Sequence, residues 1–157
     1  MNHYDEYSIV HPRDFVFGGQ NITLTDCQER AYSEITEWFD DPESKDFSLV
    51  GGAGTGKSFL VNLLCRAFRG SVAITAPTHK AAKVASTFTG RQAETLHSLL
   101  GLQPDSSLDG FDLNNIKFAR RGKPTISHYA LIVLDECSMV NDDLFTYLRQ
   151  STAPVMR

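Results

Sequence analysis

Cysteine is scarce in this 157-residue chain: Cys27, Cys65 and Cys137 stand far apart and never fall into a C-x-x-C spacing. Such a pattern argues against both a disulfide framework and a zinc site, and fits a reducing cytosol. Long apolar runs are missing too, none approaching the roughly 18 residues that a membrane span requires. The first residues, MNHYDEYSIVHPRDF, lack the basic and apolar pattern of a secretory leader. Neither an internal repeat nor a low-complexity segment interrupts the chain. These absences predict a soluble intracellular protein. What is there, 41% hydrophobic and 22% charged residues, suffices for one core and falls short of two full domains.

The net charge of −4 argues, taken whole, against a nucleic-acid binder. Its distribution does not. Residues 1–46 carry 3 basic and 11 acidic side chains, residues 47–134 carry 10 and 4, and residues 135–157 carry 2 and 4. The basic middle is either the solvated face of helices or a surface for phosphates.

Apolar periodicity alternates strands with helices. In NITLTDCQERAYSEITEWF, Thr25 stands three residues before Gln28, as in a capping box. Ala31, Ile35, Trp38 and Phe39 follow at helical spacing, which predicts a helix over about 26–39. FSLV reads as a buried strand and KSFLVNLLCRAFRG as a helix, with Leu60, Leu63, Leu64, Ala67 and Phe68 inward and Gly70 at its end. SVAITA is a second strand, THKAAKVASTFTG a second helix, and YALIVL a strand too apolar to have a wet face. Short apolar strands separated by helices mean an α/β fold with a parallel sheet covered on both faces.

Two motifs carry chemistry. GGAGTGKS, residues 51–58, fits G-x-x-x-x-G-K-[ST] between a strand and a helix. Small residues there let the backbone curl so that several N–H groups point inward at a helix N-terminus, which makes an anion cradle. Gly52, Ala53, Gly54, Thr55, Gly56, Lys57 and Ser58 are therefore the expected nucleotide-binding residues. Lys57 reaches the β- and γ-phosphates, and the Ser58 hydroxyl is a Mg²⁺ ligand. In ALIVLDECSMV, Asp135 falls where the apolar strand ends, placed to steady Mg²⁺, and Glu136 beside it is placed to take a proton from an attacking water. Adjacent acids are otherwise a solvated strand end. Together the motifs predict nucleotide hydrolysis, with Lys57 and Glu136 catalytic and ATP and Mg²⁺ as cofactors.

GGAGTGKS, APTHKAAK, TLHSLLGL and DECSMV, in that order, resemble motifs I, Ia, Ib and II of superfamily 1 helicases of the RecD/Dda-like type. The upstream LTDCQERA is similar to that family's Q motif, in which the glutamine, here Gln28, reads the adenine. The resemblance covers about residues 22–153. It implies a RecA-like P-loop ATPase domain over residues 21–157, moving 5′ to 3′ on single-stranded DNA, cytoplasmic in a bacterial or phage-infected cell. Pro77, Thr78, His79 and Lys80, at a strand exit and helix start, are then DNA contacts, as are Thr95 and His97. The plainer alternative makes Thr78 and Thr95 helix caps and His97 a satisfied core group, while Leu96, Leu99 and Leu100 pack.

Residues 103–125 break the alternation and interleave Lys117, Arg120, Arg121 and Lys123 with Phe111 and Phe118. They read as a solvated insertion, or as the small hairpin that related helicases place between motifs Ib and II. Residues 1–20 read as an extension, flexible or strapped to the core. By the resemblance, the final LRQSTAPVMR stops just before the strand that carries motif III, with the second RecA-like domain beyond. A chain of this extent is expected to bind nucleotide, hydrolyse it poorly and not unwind DNA unaided. Two readings stay open: part of a helicase motor, as a fragment of a longer helicase or as a split product whose other half is encoded separately, or a truncated, nucleotide-dependent module that binds a replication or repair partner. A helicase loader or other P-loop ATPase would leave APTHKAAK and TLHSLLGL unexplained.

Overall fold

A computed structural model of the chain describes residues 15–17, 19–41, 43, 46–104, 118–120, 125–150 and 155–156. A first antiparallel pair joins β1 (Phe15–Phe17) to β2 (Gln20–Ile22). Helix α1 (Asp26–Asp40) starts at Thr25 with the expected capping box, the Thr25 hydroxyl taking the Gln28 N–H and the Gln28 side chain taking the Thr25 N–H. It buries Tyr32, Ile35, Thr36, Trp38 and Phe39, a stripe at helical spacing.

The central sheet follows. Strands β3 (Asp46–Phe47), β4 (Val72–Ala76), β5 (Ala93–Thr95), β8 (Leu131–Leu134) and β9 (Val155–Met156) lie in the order β3-β9-β8-β4-β5, with every neighbouring pair parallel. Helix α2 (Lys57–Ala67) carries the chain from β3 to β4, and α3 (His79–Thr89) carries it from β4 to β5. A one-turn α4 (Leu96–Leu99) follows β5. Strands β6 (Leu102–Pro104) and β7 (Phe118–Arg120) then pair antiparallel, and α5 (Asp142–Arg149) lies between β8 and β9.

Both sheet faces are covered, as the apolar β8 demands. Leu131 and Val133 join α1 and α2 in one core, with Ile74, Ala85 and Phe68; Ile132 and Leu134 join a second core with Leu96, Leu99, Leu100, Ile126 and Leu148. Each aliphatic side chain removed from water in this way contributes roughly 1.5–3 kcal/mol. Among the described residues no helix is long and apolar enough to cross a membrane.

Some boundaries differ from the sequence reading. The strand expected over FSLV is shorter and earlier: β3 sits at the sheet edge and, among the described residues, ladders with the two residues of β9. Helix α2 ends at Ala67, three residues before Gly70: Phe68 turns extended (φ −77, ψ 126), and its ring meets Phe39 edge-on at 5.0 Å. Packing, not the glycine, stops that helix. Strand β5 was hidden between a helix and a motif. Strand β9 occupies residues expected to fall short of a strand, and it separates β3 from β8. Within the segment 103–125, Phe111, Lys117, Arg121 and Lys123 lie outside the described residues, as do residues 1–14 of the N-terminal extension.

Candidate nucleotide site and nucleic-acid face

The loop 51–56 is built around glycines that the backbone requires. Gly54 (φ 77) and Gly56 (φ 88) are left-handed, a region that costs other residues roughly 1–2 kcal/mol. A Cβ added at Gly56 would lie 2.5 Å from Gln28 Nε2, and one at Gly51 2.9 Å from Thr55 Oγ1. The Thr55 hydroxyl donates to Gly52 O at 2.9 Å and closes the curl. Gly56 starts α2 with no side-chain cap, and the helix has no acid in its first turn. Its orphan N–H groups and positive end thus face the loop. Lys57 Nζ donates to Gly51 O at 2.6 Å and Gly52 O at 2.8 Å, which folds the ammonium over the cradle.

Across the sheet, Asp135 N donates to Thr75 O at 2.9 Å, continuing the β4–β8 ladder by one bond before the chain turns. Glu136 adopts a left-handed conformation (φ 53, ψ 39), the one described non-glycine residue to do so, and its N–H donates to Asp135 Oδ1 at 3.0 Å. Non-glycine residues held in this region cluster at active sites and ligand clamps. A 3₁₀ turn over Cys137–Met139 follows.

One cleft of about 370 Å³ brings these parts together. Gly51, Lys57 and Ser58 line it from one side, Asp135 and Glu136 from the other, and Val61, Ile74, Ala85, Phe88 and Val133 form its apolar wall. A hydroxyl, a carboxylate and a lysine converging beside a glycine cradle are the donor set that a Mg²⁺-bound polyphosphate needs, so these residues fit that group. Gln28 approaches the loop from elsewhere: its Nε2 donates to Thr55 O at 3.3 Å, and its Oε1 accepts from Thr25 N at 3.1 Å. The expected adenine reader is thus tied both to a helix start and to the phosphate loop.

The expected DNA residues separate into two groups. Thr78, His79 and Lys80 are exposed and Pro77 is half-buried at the start of α3. Thr78 caps that helix, taking the Ala81 N–H at 3.2 Å. Thr95 is different: it is buried, 7% exposed, and its hydroxyl takes the Ser98 N–H at 3.2 Å. Both threonines are therefore caps, while Leu96, Leu99 and Leu100 pack as expected. His97 is half-buried, and burial lowers its pKa. The sequence reading missed Phe88, 57% exposed at the cleft wall, and Asn62, a buried amide that bonds Phe88 O. The polar Asn62 inside an otherwise apolar helix stripe was the available signal.

Comparison with known proteins matches residues 34–156 to the AAA domain family. The ATP-dependent DNA helicase dda of Enterobacteria phage T4 is 27% identical over 135 residues, 83% of this chain and 29% of that protein. The ATP-dependent RecD2 DNA helicase of Deinococcus radiodurans is 37% identical over 112 residues, 69% of this chain and 14% of that protein. A solved structure of the Pif1 helicase from Bacteroides in complex with ADP-AlF3 and ssDNA aligns with a TM-score of 0.54 and 26% identity, covering 86% of this chain and 32% of that one. The chain spans less than a third of the length of each.

Proposed function

For a chain that belongs to the AAA domain family and forms the RecA-like ATPase domain of a superfamily 1 helicase, we propose the following activity. It binds and hydrolyses ATP as part of a motor that moves on single-stranded DNA. The observation that carries this is the single cleft shared by Lys57, Ser58, Asp135 and Glu136, residues that lie some 80 positions apart in the chain.

The P-loop N–H groups and the α2 N-terminus hold the phosphates, and Lys57 leaves the carbonyls of Gly51 and Gly52 to meet the terminal ones. The Ser58 hydroxyl and the Asp135 carboxylate, which line the same cleft, would hold the Mg²⁺ of the nucleotide, and that ion would supply charge neutralisation to the phosphates. Glu136 accepts the proton of the attacking water. Gln28 retains one amide hydrogen and one oxygen lone pair beyond the bonds to Thr55 O and Thr25 N. That is one donor and one acceptor for the N7 and N6 edge of adenine. The exposed Thr78, His79 and Lys80 meet DNA phosphates at the α3 N-terminus, with Thr95 and His97 behind them. The names of the relatives, both ATP-dependent DNA helicases, support the reading.

The test is Mg·ATP turnover at low salt, with and without single-stranded DNA, against Lys57→Ala and Glu136→Gln. Turnover that DNA raises and both substitutions abolish is the expected result. A supplied C-terminal helicase half should raise it further, since a residue added across such a cleft brings roughly 10³–10⁵ in rate. Tight nucleotide binding with no turnover under any of these conditions would favour a nucleotide-dependent module that binds a replication or repair partner. No nucleotide binding at all would refute both.

A further inference from the structure

Helices α2 and α3 begin at different functional ends, α2 at Lys57 and Ser58 and α3 at Thr78, His79 and Lys80. They are joined near the opposite end of α3. Asn62, one turn beyond Ser58 and only 4% exposed, donates its amide to Phe88 O, while its Oδ1 accepts from Arg66 Nε at 2.8 Å. Phe88 O is one of the last four carbonyls of α3, which a helix cannot satisfy from within itself. A second tie runs the other way: Arg91 Nη2, just past α3, donates to Cys65 O at 2.7 Å, among the last carbonyls of α2. The remaining bonds stiffen the same end. Gly90 N donates to Ser86 O at 2.9 Å, the Thr89 hydroxyl to Ala85 O at 2.7 Å, and Ala93 N to Ser86 Oγ at 2.8 Å. The carboxyl end of α3 is therefore pinned to α2, while the residues that start it are exposed.

A buried amide with both ends bonded, in a helix whose neighbouring Leu60, Leu63 and Leu64 are core, is a specified contact and not a packing accident. The residue it holds, Phe88, walls the cleft that contains Lys57 and Glu136. We infer that Asn62 is a positioning residue: it makes α3 follow α2, so that nucleotide seated at Lys57 and Ser58 changes the affinity of Thr78, His79 and Lys80 for single-stranded DNA. This rests on the proposed nucleotide site and assigns to Asn62 the contact through which a change at that site reaches α3.

The coupling is read as a ratio: the dissociation constant of the whole chain for a fluorescent single strand, without and with saturating Mg·ADP, at low salt. The unsubstituted chain should show a ratio of at least about fivefold, in either direction, within the usual range of linkage between sites. Asn62→Asp removes the donor to Phe88 O and keeps the size and the Arg66 partner, and Asn62→Leu removes both bonds. Each should bring the ratio within about twofold of one while the nucleotide affinity changes by less than about threefold. Arg66→Met leaves the amide bond to Phe88 O in place and should keep the ratio. A purely structural role for Asn62 would lower stability and leave the ratio alone. The inference fails if Asn62→Leu keeps the unsubstituted ratio, or if the unsubstituted chain binds both ligands with a ratio of one. Should both Asn62 variants fail to fold, hydrogen exchange on the unsubstituted chain decides. Mg·ADP must slow exchange in α3 as well as in α2, and protection confined to α2 overturns the link. A chain that binds no nucleotide would refute the nucleotide site itself, an outcome distinct from a ratio of one.

Discussion

Gly56→Ala tests whether the 51–56 loop and the Gln28 side chain at the start of α1 are one structure. Alanine must adopt φ 88 there, at a cost of roughly 1–2 kcal/mol. Its Cβ must also stand 2.5 Å from Gln28 Nε2, which forces that amide away and breaks its bond to Thr55 O. A lost bond of this kind costs about 0.5–1.5 kcal/mol, so the sum is about 1.5–3.5 kcal/mol. In a chain of this length that lowers Tm by about 3–14 °C. Gly54→Ala is the internal control: φ is 77, yet nothing lies within 4 Å of the added methyl, so only the backbone cost applies. Thermal and urea unfolding of both variants, repeated in a Gln28→Ala background, separates the two terms. The steric part must vanish when Gln28 is truncated, so the double substitution should cost about 1 kcal/mol less than the sum of the singles. Equal penalties at positions 54 and 56, or strict additivity with Gln28→Ala, would refute the reasoning.

Burial lowers the pKa of His97, so the unfolded chain takes up a proton that the folded one resists. Stability should therefore fall as pH drops below the ordinary histidine value of about 6.5, and His97→Gln should flatten the Tm profile between about pH 7 and 5; an unchanged profile would count against it. Cys65 is fully buried, and burial pushes its thiol up to about 11 against the opposing pull of Arg91, while Cys27 is exposed and Cys137 half-buried. Maleimide should label Cys27 first, Cys137 more slowly and Cys65 only after unfolding, which peptide mass mapping will show; native labelling of Cys65 at the rate of Cys27 would contradict the fold. Leu148→Ala, at a side chain with 0% exposure in the second core, should cost about 2–5 kcal/mol in urea unfolding without abolishing nucleotide binding, because α5 lies on the sheet face opposite α2.

Where local pattern and tertiary demand agreed, the fold was legible. The Thr25 and Gln28 capping box starts α1, the apolar run of β8 is buried on both faces, and Gly90 closes α3 in the left-handed conformation. The errors lie where a distant partner sets the boundary. Nothing within FSLV says that its ladder will have two rungs, because the length of β9, more than 100 residues later, decides it. Phe68 leaves the helix for a ring on α1, a contact that no window of 11 to 18 residues contains. Strand β5 is three residues long and merges into α4, so its period is too short to register.

The same distinction explains the site. The shape of the 51–58 loop was legible because it is local: glycine at positive φ, a lysine that folds back five and six residues, a helix with no side-chain cap. That Lys57 and Glu136 would share a cleft was legible only as chemistry, since the sheet order that brings the carboxyl ends of β3 and β8 together, with β9 between them, is not written in either motif. Asn62 was the hardest of all. Its partner is a backbone carbonyl 26 residues away, and a carbonyl leaves no mark in a sequence. The mark is instead on the donor: a polar residue on a face where Leu60, Leu63 and Leu64 are buried must find a partner or cost the fold about 1–3 kcal/mol. Position 62 could therefore have been singled out from the sequence as needing a buried acceptor, while which carbonyl accepts follows only from the way α3 crosses α2.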